Sequence, residues 1–379
     1  MTEKDHAPGT GETVPHKADL LYSEAEEDLR AAVRALLADR NDPAQVVVRA
    51  EEGTPYDAGL WKALGADMGV AGLLVPEELG GQGASHREAA VVLEELGRAM
   101  VPAPYLTGSV VATEVLLACD RERGEVAGLI AELASGRRTA APVVPFGAGP
   151  DSFRLPQGPQ GTVAGVADAA TADVLLVPTA QGLYAVERSG SGVAVTPQTP
   201  LDLTRPLATV TLDGADATLL AGPDLCRAAL RQGLLAGAGL LASEQLGLAE
   251  WCLEETVRYT KERHQFNRPV GSFQALKHRM AQLWLEVVSA RAAARNAADA
   301  LAAGGPQVPL AVAVAQAYCA RVAVHAAEEC VQLHGGIGMT WEHPAHLYLK
   351  RAKADSLAFG TAGAHREAVG RLVDLPAPS

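Results

Sequence analysis

Aromatic residues are scarce, 4% of the composition, and the formal net charge is -13. Few rings leave little to stack on nucleic-acid bases and an acidic surface repels phosphate, so a DNA or RNA partner is excluded. The five cysteines, Cys119, Cys226, Cys252, Cys319 and Cys330, form no CxxC pair. They read as core thiols of a cytoplasmic protein and not as a disulfide or metal framework, so no metal is expected. No stretch approaches 18 apolar residues free of charges and helix breakers, and no membrane span is expected. The first residues lack an apolar h-region, so residues 1–19 read as a disordered tail and not a signal peptide.

What is present is core-forming material: 379 residues, 48% of them hydrophobic and only 20% charged, enough for two or three domains. Three zones follow one another. Residues 20–140 carry helical periodicity, with Ser23 placed to cap a helix over 24–39 and apolar Ala89, Val92, Leu93 and Leu96 on one face of a helix over 87–100. Residues 141–223 break into short β-branched runs (173–178, 183–187, 192–196, 208–212) punctuated by Gly, Pro, Ser and Asp, which predicts an antiparallel β-domain. From 224 to 379 the chain returns to long Ala/Leu-rich segments (224–263, 272–303, 307–333, 344–357) that suit a four-helix bundle. The fold class is therefore α+β, mainly α.

Two segments are far more specific than spacing. Residues 259–281, YTKERHQFNRPVGSFQALKHRMA, match the pattern YxxxRxQFGxPIxxFQxxxHxLA, and residues 330–351, CVQLHGGIGMTWEHPAHLYLKR, match QxxGGxGxxxExP. With VPEELGGQG and EELGRAMVPAP in the first zone, these resemble, in the same order, the motifs of the acyl-CoA dehydrogenase family, in particular actinobacterial members that work as unlike subunit pairs on bulky CoA esters. The resemblance implies FAD as cofactor, an acyl-CoA substrate, electron-transfer flavoprotein as oxidant, and a homo-oligomer or heteromer with a related subunit.

It also assigns roles. Arg263 is implied as a fork of donors for the flavin diphosphate, reaching FAD held largely by a neighbouring subunit. Gln265 and Phe266 would lie beside it, and Gln332, Gly335 and Gly336 would let backbone approach the ADP half. Thr361, the last residue of the family's YEGT motif, is implied as a further cofactor contact. Asn267 stands where the family has Gly, and Asn tolerates the left-handed backbone expected there. His278 and His334 read as structural.

Two departures bear on function. The family's TEPxxGSD-like loop, which contacts the flavin ring, has no counterpart in PVVPFGAGPD, residues 142–151. The catalytic carboxylate is missing from both familiar positions: Ala358-Phe359 stands over Tyr-Glu of the YEGT motif, and Gly237-Ala238 occupies the alternative helix site. The nearest carboxylate on that helix is Glu244, seven residues on and almost on the same face. Leu240, Leu248 and Trp251 surround it in sequence, so an apolar setting and a raised pKa are expected, as a base requires; the alternative is that Glu244 pairs with an Arg across the helical bundle or sits at its rim. Asp355 is a second candidate, though Arg351 at i−4 can pair with it. Three readings follow: an active dehydrogenase with Glu244 as base, passing hydride to flavin N5; a non-catalytic partner that completes the FAD site of a companion; or a flavin-dependent oxidase or hydroxylase on the same fold.

Overall fold

The computed structural model describes residues 18–376; most of the expected N-terminal tail lies outside them. The first zone is helical: α1 (Glu24–Arg40), α2 (Pro43–Glu51), α3 (Ala58–Trp61), α4 (His86–Arg98), α5 (Thr113–Leu117) and α6 (Gly124–Ala134). Ser23 caps α1 and Ser85 caps α4, each in a capping box with the glutamate three residues on, Glu26 and Glu88. Between α4 and α5 the segment Tyr105–Ala112 winds as a wider π-helix, wholly buried.

The middle zone holds β1 (Ala140–Pro142), β2 (Gly161–Ala167), β3 (Val174–Thr179), β4 (Gly182–Glu187), β5 (Val193–Gln198), β6 (Leu207–Leu212) and β7 (Ala217–Ala221). They form a four-stranded sheet, β1-β3-β4-β7, and a three-stranded sheet, β2-β6-β5. One pair departs from the expected antiparallel pattern: β1 runs parallel to β3, Ala140 opposite Val174. That pairing brings the strand leaving the helical zone onto the β-domain, so the boundary expected at residue 140 falls inside β1. Val166, Leu175, Val177, Val186, Val210 and Leu212 fill the space between the two sheets.

The third zone comprises α7 (Pro223–Glu262), the hairpin strands β8 (His264–Gln265) and β9 (Arg268–Pro269), α8 (Gln274–Ala303), α9 (Val308–His334), α10 (Ala345–Asp355) and α11 (Ala362–Leu372). With 40 residues, α7 is about 60 Å long and is buried for most of its length. Its N-terminal half packs on the first zone, and its C-terminal half joins α8, α9 and α10 in the bundle core. Val308–Met339 is long and apolar enough to cross a membrane by length and composition, but in this fold 61% of its most apolar window is buried, as the core helix of the bundle.

The crossing of α4 and α7 is set by glycine. A Cβ on Gly247 would lie 1.8 Å from the Glu94 carbonyl oxygen, and one on Gly97 would lie 2.2 Å from that of Glu244. The two backbones therefore touch, which locks the first zone onto the bundle at the level of Glu244.

Candidate functional site

A groove of about 650 Å³ runs between the end of α7 and the end of α9, and its walls include Arg263, Gln265, Gln332, Gly335 and Gly336. Five sequence-predicted cofactor residues thus meet in one place, from two segments far apart in the chain. Arg263 ends α7: its N–H donates to the Tyr259 carbonyl (2.8 Å) and its carbonyl accepts from Val270 (2.8 Å), while the side chain is exposed. Among the described residues its guanidinium has no ion pair, so the fork is available to a ligand. The β8–β9 turn is Phe266-Asn267, with φ of 53° and 60°. Positive φ at both positions is what a type I′ hairpin requires, so the left-handed backbone expected at Asn267 is present. It extends to Phe266, whose ring is 86% exposed at the hairpin tip. Opposite, Gly335 turns the chain out of α9 with φ 62°, and a Cβ on Gly335 or Gly336 would meet no atom of this chain within 4 Å. The space those missing side chains leave belongs to the groove. An unpaired guanidinium, two amides and bare backbone fit an extended anionic cofactor such as FAD.

Thr361 does not join this set. It caps α11, its hydroxyl accepting from Ala364 N–H (3.2 Å), and it is not among the residues that line the groove. Sequence reasoning missed Tyr259 and Arg279, which also line the groove; Tyr259 opens the first motif, and Arg279 lies within it. His334, read as structural, lines it too.

The two positions that lack the base converge in space. A Cβ on Gly237 would lie 3.1 Å from Cζ of Phe359, so the Phe359 ring rests on the glycine. Phe359 adopts φ 51°, a left-handed conformation uncommon for a bulky residue. Its ring meets Phe146 edge-on, centroids 5.3 Å apart, and Phe146 comes from the loop that stands where the flavin-contacting motif is missing. The cavity left among Thr107, Val111, Pro142, Val144, Phe146, Ala167, Leu234 and Phe359 measures about 20 Å³. That holds a single water and no acyl chain.

Glu244 is buried, as its place on α7 suggested, but the expected apolar surroundings are absent. Its carboxylate accepts from Arg351 Nη1 (2.6 Å) and from Arg205 Nη2. Arg351 also pairs with Asp202 and donates to the Thr204 hydroxyl (2.5 Å). Burial alone would raise the Glu244 pKa, but the two guanidiniums outweigh it and hold it below the ordinary range. The expected raised pKa is therefore reversed: this is a carboxylate locked in a double ion pair. Arg205 and Asp202 lie in the β-domain segment LDLTRP, which carries no helical periodicity to point at α7.

Asp355 has the opposite character. Arg351 spends its donors on Asp202, Glu244 and Thr204, so the i−4 pair expected with Asp355 is not made. Among the described residues both Asp355 oxygens are buried without a hydrogen bond, and the nearest cation is Arg205 Nε at 3.6 Å. Burial, and then the neighbouring Glu244 charge, push its pKa up to about 8. It has the protonation behaviour of a base, yet it lines neither the groove nor the cavity under Phe359.

Comparison with known proteins identifies the family. Residues 23–122 match the acyl-CoA dehydrogenase N-terminal domain and residues 227–373 the acyl-CoA dehydrogenase C-terminal domain. The acyl-CoA dehydrogenase IpdE2 of Mycolicibacterium smegmatis is 38% identical over 339 residues, covering 89% of this chain and 95% of that protein. FadE27 of Mycobacterium tuberculosis is 31% identical, over 95% of this chain and 100% of its own length. Among solved structures, a chain of the ChsE4–ChsE5 complex of Mycobacterium tuberculosis superposes with a TM-score of 0.83 at 27% identity, covering 95% of this chain and 100% of that one. A chain of the Tcur3481–Tcur3483 steroid acyl-CoA dehydrogenase, in its G363A variant, gives 0.81 at 27% identity, covering 93% of this chain and 98% of that one. With both family domains matched and a relative of this similarity aligned along nearly its whole length, the chain belongs to the acyl-CoA dehydrogenase family.

Proposed function

We propose that this chain is the non-catalytic member of a heteromeric acyl-CoA dehydrogenase, one that completes the FAD site of a companion subunit. The observation that carries the reading is the contrast between its two candidate places. The outer groove is open and chemically suited to a diphosphate, while the interior place for a base and a thioester holds the Phe359 ring and about 20 Å³ of space. The space that Glu244 borders measures about 10 Å³, too small for a substrate. Glu244 is neutralised by Arg205 and Arg351, and Asp355 is walled in behind Arg205.

In the assembled pair, Arg263 would set its fork against the diphosphate, Gln265 and Gln332 would supply amides on either side, and the Gly335-Gly336 backbone would approach the adenosine half. Bound FAD would supply the hydride acceptor for a substrate held in the companion, to be reoxidised by an electron-transfer flavoprotein. Two solved structures similar to this chain are the ChsE4–ChsE5 complex and the Tcur3481–Tcur3483 steroid acyl-CoA dehydrogenase. We take an acyl-CoA with a bulky ring system as the first substrate class to assay.

The test is flavin stoichiometry and reduction. The chain alone should hold no FAD, and acyl-CoAs added anaerobically should produce no bleaching. Co-expressed with its companion it should retain flavin, which Arg263→Met should release and Asp355→Asn should leave reducible. Flavin bleached by the isolated chain, and no longer bleached in Glu244→Gln, would overturn the reading.

A further inference from the structure

His334 sits under the groove in an environment the family motif does not explain. It is the last residue of α9, directly before the Gly335 turn, and its side chain has no exposed surface. Its ring stacks on Tyr259 (centroids 4.3 Å, 28°), which lines the same groove. Nδ1 lies 2.6 Å from the Cys330 carbonyl oxygen, which only an N–H at that position can satisfy. Among the described residues Nε2 is buried with no hydrogen-bond partner, and it faces the Glu255 carboxylate at 3.7 Å. In a neutral imidazole with its proton on Nδ1, Nε2 would present a lone pair to a carboxylate, which is repulsive. A second proton turns that contact into an attraction.

The other groups around the ring are consistent with a cation. From α7, Glu255 is shared with Arg258, and Cys252 lies behind Cys330. His343, tilted against His334 at 4.2 Å, accepts from Ala345 N–H at Nδ1 (3.2 Å). That bond leaves the His343 proton on Nε2, aimed at Glu255 (3.2 Å), so His343 is neutral when it donates there. Tyr348 of α10 borders the same cluster, and Arg279 of α8, paired with Glu329 (2.6 Å), closes the far wall of the groove. Burial works against a charge on His334, but the Cys330 side chain, its Sγ 3.7 Å from Nδ1, and then the Cys330 carbonyl and Glu255 prevail and raise its pKa above the ordinary histidine value.

We infer that His334 is held doubly protonated between the Cys330 carbonyl and Glu255, and that this cation positions the Gln332–Ile337 turn and adds positive charge beneath a diphosphate ligand in the groove. His334 is thus a positioning residue for the cofactor proposed above, and the inference rests on that reading for the identity of the ligand. Loss of the proton restores the lone-pair repulsion with Glu255 and removes one charge from the groove floor, so cofactor retention weakens as pH rises.

Two measurements test this. In the full chain with 13C-labelled histidine, the His334 ring should titrate above the ordinary histidine value, and Glu255→Gln should bring it down. In the assembled complex, the FAD dissociation constant from flavin fluorescence should rise about tenfold across that same transition, and His334→Gln should flatten the profile. A His334 ring that titrates at or below the free-histidine value, or a pH step that persists in His334→Gln, would overturn the inference. So would one-to-one uptake of Zn2+ lost in either His334→Ala or His343→Ala, since the pair would then be a metal site. Absence of Arg263-dependent FAD at every pH would instead sink the parent reading, leaving the ring titration as the independent measure of this one.

Discussion

At the scale of single residues, the charge cluster joining α7, α10 and the β-domain decides more than any catalytic analogy. Asp168, Asp202, Glu244 and Asp355 share the interior with Arg205 and Arg351. Asp202 and Glu244 are held ionised by the two guanidiniums, whereas burial raises Asp168 and Asp355. The two anions therefore offset the two guanidiniums, and Asp355 keeps its proton at neutral pH. Glu244→Gln leaves one guanidinium charge uncompensated and should cost about 3–5 kcal/mol in urea denaturation; a loss below about 1 kcal/mol would mean the pair is not closed in solution. Asp355 carries the opposite sign. Its folded pKa near 8 exceeds the ordinary carboxyl value, so between those limits the folded state holds a proton the unfolded chain has released. Stability is full below the unfolded carboxyl pKa and falls as pH rises toward 8, by at most about 1.4 kcal/mol per unit from this proton. Asp355→Asn removes no hydrogen bond, because the carboxyl makes none. It should make the chain more stable at pH 8 and flatten its stability from pH 5 to 8. An unchanged slope would show that Asp355 is ionised throughout. The sequence left Glu244 open between an apolar setting and an Arg pair across the bundle, and it offered Asp355 an Arg351 pair that the fold does not make. Leu240, Leu248 and Trp251 described the helix face of Glu244 correctly, but its partners Arg205 and Arg351 arrive from other segments, and helical spacing carries no information about them.

At the scale of elements, legibility followed the range of the forces involved. The long helices of the third zone begin and end within a few residues of their expected limits, because apolar periodicity and breakers such as Gly304 and Gly335 act locally. Strands β3, β4, β5 and β6 were likewise marked by their β-branched runs. The strands β1, β2 and β7 were not, since Ala- and Gly-rich segments such as GTVAGVA have weak intrinsic preference and are recruited by pairing with distant strands. The parallel β1–β3 pair and the π-turns of Tyr105–Ala112 are tertiary outcomes of the same kind. The α4–α7 crossing is the element contact with the least room for change. Gly247 faces the Glu94 carbonyl where a Cβ would sit at 1.8 Å, and what stands in the way is backbone. Gly247→Ala gains helix propensity, which favours it by about 1 kcal/mol. It must nevertheless separate two packed helices, and overpacking of this kind costs about 1–3 kcal/mol or more. A lowered melting temperature is expected, with the pH profile of Asp355 disturbed as well, because Glu244 lies one turn away. A melting temperature raised by the substitution would show that the two helices are not in backbone contact.

At the scale of the whole molecule, the open groove and the apolar residues around it describe a subunit whose surface is unfinished. Phe266 at 86%, Met339 at 80% and Trp341 at 60% exposure stand on the hairpin and on the turn that border the groove, a concentration of large apolar groups that marks a protein contact more than a solvated face. Phe266 pays a local conformational cost to be there. It holds φ 53°, a backbone region where Asn is several times commoner than aromatic residues. A partner that covers the ring would repay that strain, and the two halves of this argument separate in one pair of variants. Phe266→Asn removes the exposed ring and eases the turn, so the isolated chain should unfold at an equal or slightly higher denaturant concentration, by up to about 1 kcal/mol. The same variant should assemble less well with the companion, measured by sedimentation at micromolar concentration, and should lose FAD in parallel. Met339→Lys, on an exposed side chain with no packing to lose, should leave the isolated chain within about 0.5 kcal/mol of the parent while weakening assembly in the same way. If both variants assemble and retain flavin as the parent does, the groove face is not the joint between the two subunits.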